Sequence, residues 1–224
     1  LGIVFCLMAG CVVYSRRFYE EVWRDPATAS PMLFPETVFN APASHLATVL
    51  QTNATNYTLV GDPGTFLQAL ALAGQWLLED RLDGCLVVGA EESDWIISNA
   101  FYPFQHGQIL SEGAGALYLR RSSTSGVNLA AVTHPHRIGT ARTRLAAAAA
   151  MRAELSSGTS GELLCDGVQN QPRLDAPDLQ AWSGWTGARL SPKTVLGDGL
   201  MAASAWQCVA ACAALAAGRF PAAQ

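Results

Sequence analysis

The 224-residue chain is half apolar, only 14% charged and carries a net charge near −4, which suits one large domain buried on several faces. Its one lysine, Lys193, and its scattered arginines build no basic stripe to neutralise phosphates, which argues against a nucleic-acid partner. The six cysteines (Cys6, Cys11, Cys85, Cys165, Cys208, Cys212) sit in apolar runs with no CxxC pair, which favours buried reduced thiols over a disulfide framework or a zinc site.

Residues 1–14 are apolar but too short to span a membrane and lack a basic leader. They read as a buried strand followed by the start of a surface segment. Residues 16–26 form a short amphipathic helix stopped by Pro26, and a Pro-rich loop then leads into a helix over 43–50. "NYTLVGDPGTFLQALALAG" reads as a strand at 58–60, a sharp turn at 61–64, and a helix with Phe66, Leu70, Ala73 and Leu77 on one face. Many enzymes place a nucleophile at such a turn, where the helix N-terminus stabilises an anion. Here the turn offers Asp62 and Pro63. The apolar run between Gly84 and Gly89 predicts a central parallel strand. A Gly-rich turn at residue 112 enters another strand that runs to 121. The second half repeats the alternation, with strands at 127–134 and 162–167, helices at 140–155 and 176–182, and a long Ala-rich helix over 200–217. That last segment is dominated by Ala, so it reads as a helix buried in protein and not a membrane span. Strands alternating with helices predict an α/β protein built on mainly parallel sheet.

In this order the segments resemble the β-ketoacyl-acyl-carrier-protein synthases, condensing enzymes of the thiolase-like fold. "SPMLFPETVFNAPASHLA" is similar to the family's Pro-rich approach loop, and "NYTLVGDPGTFLQALALA" aligns without gaps on the strand and helix that carry the catalytic Cys. "DGCLVVGAEES" and "SEGAGALYL" resemble the Gly-Gly-x-Glu strand and the Glu-Gly-Ala-Gly turn. "LLCDGVQNQPRLDAPDL" and "SPKTVLGDGLMAASAWQCV" resemble the two segments that carry the catalytic His residues and the Lys. The resemblance implies an αβαβα layered fold in a single domain with halves of about 1–125 and 126–224. It implies that the family's opening strand and C-terminal Gly-rich loop are missing from this stretch.

The same resemblance implies a lost active site. The Cys position falls on Pro63, which also removes the backbone N–H that serves as an oxyanion donor. The first His position falls on Gly167, or on Asp166 if the alignment slips by one, and the second on Asp198. Lys193 is retained, and its usual Glu partner is replaced by Gln207. Asp62 followed by Pro63 reads as an N-cap and first helical residue, worth about 1 kcal/mol over an Ala cap.

Other candidates have plain readings. Asp62, Asp166 and Asp198 would converge near the old site and could offer acid–base work or oxygen ligands to a metal, but ion pairing with Lys193 or solvation is the preferred reading. His45 lies on a predicted helix. His134 and His136 flank Pro135 without a metal-ligand spacing. Trp76, Trp182, Trp185 and Trp206 read as packing or interface anchors, and Glu91 and Glu112 as residues that hold loops.

The resemblance points to a chain-length-factor-like subunit: a non-catalytic partner of an active ketosynthase in polyketide or fatty-acid-like biosynthesis, cytoplasmic, with no metal or organic cofactor. Its implied partners are the active ketosynthase and an acyl carrier protein, and its ligand a phosphopantetheine-linked acyl chain. The strand at 56–60 would pair across a two-fold or pseudo-two-fold axis. Phe34, Phe39, Tyr57, Leu59, Phe66 and Phe101 are the expected interface or tunnel positions, with ordinary core as their other reading. The alternatives are a homodimeric acyl-binding protein, or a thioester-acting enzyme that uses Asp62 or Asp198.

Overall fold

A computed structural model describes residues 1–53, 55–104, 107–121, 126–155 and 161–218; the boundary expected near residue 125 lies outside them. Strand β1 (Gly2–Leu7) is buried at every position. Val4 and Cys6 enter the core on one face of the sheet, while Phe5 and Leu7 pack on the other. Burial on both faces is why this run is apolar without alternation.

Helix α1 (Val12–Arg24), a 3-10 turn at Phe34–Thr37 and α2 (Ala41–Val49) follow, then β2 (Asn56–Val60) and α3 (Thr65–Leu78). Next come β3 (Gly84–Glu91), α4 (Trp95–Phe101) and β4 (Gly113–Arg120). The sheet runs in the order β2-β1-β3-β4. β1 is parallel to both β2 and β3, and β4 closes antiparallel to β3. In the second half come α5 (Ala141–Glu154), β5 (Leu163–Cys165), α6 (Pro172–Ala181), β6 (Ala188–Leu190), α7 (Lys193–Leu196) and α8 (Met201–Ala217). β5 and β6 pair in parallel as a second sheet.

Helices α3 and α8 cover one face of the large sheet, and their Phe66, Ala69, Leu70, Ala73, Met201 and Ala205 meet Val4, Cys6, Cys85 and Val87 there. α2 covers the other face through Ala43 and Leu46. α8 also packs on β5, so the α3–α8 layer lies between the two sheets. Gly89 marks a close approach of both helices to β3. A Cβ on it would sit 2.9 Å from Phe66 Cδ2 and 3.0 Å from both Ala205 Cβ and the Met201 carbonyl, so only glycine lets both helices reach β3.

Several elements differ from the sequence reading. The helix expected at 16–26 begins at Val12, and the one expected at 176–182 begins at Pro172. There Pro172 occupies the first turn and Asp175 accepts the Gln171 N–H at 2.7 Å, which fixes the earlier start. The strand expected at 127–134 does not form. Val132 packs instead against the core that α3 and α8 form, while Val127 and Leu129 stay exposed. Cysteines 6, 11, 85, 165, 208 and 212 are free thiols. Among the described residues no helix is long and apolar enough to cross a membrane.

Candidate functional site

The turn between β2 and α3 has the shape of a nucleophile elbow and carries Asp62 and Pro63 at its tip. Asp62 is exposed, and its Oδ1 accepts the Gly64 N–H at 2.8 Å. The Thr65, Phe66 and Leu67 N–H groups bond three residues back, which makes a 3-10 turn ahead of α3. The Asp62 cap therefore serves this turn, with α3 proper starting two residues later than an Asp62 cap and Pro63 first position would place it. Pro63 supplies neither a thiol nor an N–H at the tip.

Three residues past Pro63, Phe66 is fully buried against Gly89, beside Met201 and Ala205 of α8. Met201 lies three residues past Asp198, so the elbow and the Asp198 loop feed helices that meet over one point of β3. Asp198 is buried, with its side chain 8% exposed. Its Oδ1 accepts the Lys193 Nζ and the Leu200 N–H, each at 3.0 Å, and Oδ2 accepts from the Gln108 amide. The Asp198 N–H donates to the Ile109 carbonyl at 2.8 Å, and its carbonyl accepts from Ser111. Leu200 takes a φ of 51°, a left-handed conformation that costs a non-glycine residue about 1–3 kcal/mol. The bond from its N–H to Asp198 holds it there.

Asp166 follows β5 and is also buried. Its Oδ1 accepts the Ser191 hydroxyl at 2.6 Å and the Val168 N–H at 3.1 Å, while Oδ2 faces Arg189 at 3.6 Å without a hydrogen bond. Gln207 donates to the Asp166 carbonyl and so holds the backbone beside Gly167. Gln108 links the two regions. It donates to Asp198 and, at 2.8 Å, to Gln169, whose N–H lies on buried Asp175. Lys193, Asp198, Gln169 and Gln171 line a cleft of about 220 Å3.

The three acids do not converge. Asp166 and Asp198 belong to this polar network, whereas Asp62 stays in its own turn. Among the described residues no group of three His, Cys, Asp or Glu side chains could hold a metal ion. Gln108, Gln169, Asp175, Ser191 and Arg189 are members of the network that the sequence reading passed over. For Asp175 the signal is present: a Pro followed by an acid three positions on marks a helix start.

The remaining candidates hold structure together. Glu91, at the end of β3, accepts the Met8 and Ala9 N–H groups at 3.0 and 2.8 Å and fixes the loop after β1. Burial pushes its carboxyl above the ordinary value even though those bonds, and one from Met201, pull it down. Glu112 accepts the Ser93 N–H. His134 and His136 both bond Glu154, at 3.0 and 3.1 Å, and His45 bonds Glu36. Trp182 and Trp185 stack edge to face, and Trp76 packs against Tyr57.

The six expected tunnel or interface residues separate into groups. Phe66 is core. Phe34, Phe39 and Tyr57 are exposed, and Leu59 and Phe101 are half-buried. Phe39 lies over Gly10, whose φ of 81° and missing Cβ leave room for the ring. None of the six lines a described cavity.

No protein-family model matches the sequence, and none of the curated proteins does. Solved structures do match. The ishigamide ketosynthase/chain length factor aligns over 97% of this chain and 66% of its own, with a TM-score of 0.72 and 20% identity. The ketosynthase in complex with its acyl-carrier protein, AntDE:AntF, of a type II polyketide synthase aligns over 96% and 65%, with a TM-score of 0.70 and 17% identity. A beta-ketoacyl synthase from Burkholderia phymatum aligns over 95% and 62%, with a TM-score of 0.68 and 15% identity. The chain thus spans just under two thirds of the length of these proteins. With its mainly parallel sheets packed on the α3–α8 layer, the chain has the thiolase-like fold of the ketosynthases.

Proposed function

We propose that this chain is a non-catalytic, chain-length-factor-like member of the β-ketoacyl-acyl-carrier-protein synthase family. It pairs with an active ketosynthase in polyketide or fatty-acid-like biosynthesis in the cytoplasm. The observation that carries this reading is an elbow kept in shape but emptied of chemistry, next to a strand left open. Among the described residues β2 pairs only with β1, so its other edge is left without a partner strand there. Along it Tyr57 is 48% and Val60 53% exposed. Exposed apolar side chains are also found elsewhere in this half, with Val49 and Leu50 at the end of α2, Phe34 on the 3-10 turn and Trp23, 92% exposed, on α1. A free strand edge with exposed apolar side chains is built to be covered by another chain.

Similar structures support the choice of partner, since they include a ketosynthase/chain length factor and a ketosynthase held by its acyl-carrier protein. In this reading the partner supplies the thiol chemistry. A phosphopantetheine-linked acyl chain on a carrier protein is the ligand, and Phe34, Phe39 and Tyr57 lie at the interface. Pro63, Gly167 and Asp198 mark the lost nucleophile and the two lost His positions, and Lys193 serves Asp198.

The test is native mass spectrometry of the chain alone and co-expressed with an intact Cys-His-His ketosynthase from the same genome neighbourhood. A one-to-one complex that Val60→Lys abolishes is the expected result. A stable homodimer that ignores the ketosynthase would overturn the reading.

A further inference from the structure

We draw no further inference here: the strongest candidate, the cleft of about 370 Å3 that Arg144 and Arg173 line between the start of α5 and α6, rests on a helix N-terminus beside surface arginines with no second feature that points to a ligand.

Discussion

Glu91 ties the end of β3 to the loop after β1, and replacing it by Ala tests that tie directly. The substitution leaves the Met8 and Ala9 N–H groups, now bonded at 3.0 and 2.8 Å, without acceptors in a buried corner. Each orphaned donor costs about 1–3 kcal/mol, so Glu91→Ala should lose about 4 kcal/mol. Glu91→Gln keeps one oxygen acceptor but turns an NH2 toward the second donor, and should lose about half as much. Urea unfolding followed by tryptophan fluorescence reads both variants. The pH dependence supplies a sign. Burial raises the Glu91 carboxyl above its ordinary 4.5, so its contribution is fullest below that value and falls as pH rises through the raised one. The gap between the parent chain and Glu91→Gln should therefore be wider at pH 5 than at pH 8. An Ala variant within about 1 kcal/mol of the parent, or a gap that widens with pH, would refute the reasoning.

Other consequences can be checked in the same assay. Gly89→Ala forces a methyl against Phe66, Ala205 and the Met201 carbonyl at 2.9–3.0 Å and should cost about 1–3 kcal/mol; an unchanged midpoint would mean that α3 and α8 have slack there. Lys193→Met leaves the Asp198 carboxylate buried without its cation and should cost about 3 kcal/mol, part of it recovered by adding Asp198→Asn. A neutral single variant would make the pair incidental. Glu154, held down to about 2 mainly by the His134 N–H and by both imidazoles, contributes stability above pH 4.5 that is lost as pH falls toward 2. Glu154→Gln should flatten acid unfolding across that window, and an identical acid profile would count against the clamp.

The strand–turn–helix at 56–78 was legible because local signals agree: β-formers, then Gly-Asp-Pro-Gly, then apolar residues at helical spacing. The reading failed at 127–134. "VNLAAVTH" satisfies strand periodicity, but periodicity does not say whether apolar residues find a partner strand, and here only Val132 joins the core while Val127 and Leu129 stay exposed. α4 was missed despite a visible start signal, Asp94 before Trp95, whose carboxylate accepts the Ile96 N–H. The site was half legible. Which residues stand at the elbow turn and in the Asp166 and Asp198 loops could be read residue by residue, since that depends on identity alone. That Asp198 is buried on Lys193 while Asp62 stays in solvent depends on which loops the fold brings together, and composition carries no trace of it.

The open edge of β2 also bears on dosage. An unpaired strand that presents Tyr57 and Val60 is a template for any extended chain that reaches it, including another copy of itself. In the proposed pairing, copies made in excess of the chain that covers that edge would seed self-association, so the tolerable level of this chain would be set by its cover and not by its own folding stability. Selection would then act on the ratio in which the two are made, and a tightly coupled pair of reading frames is the simplest way to fix that ratio.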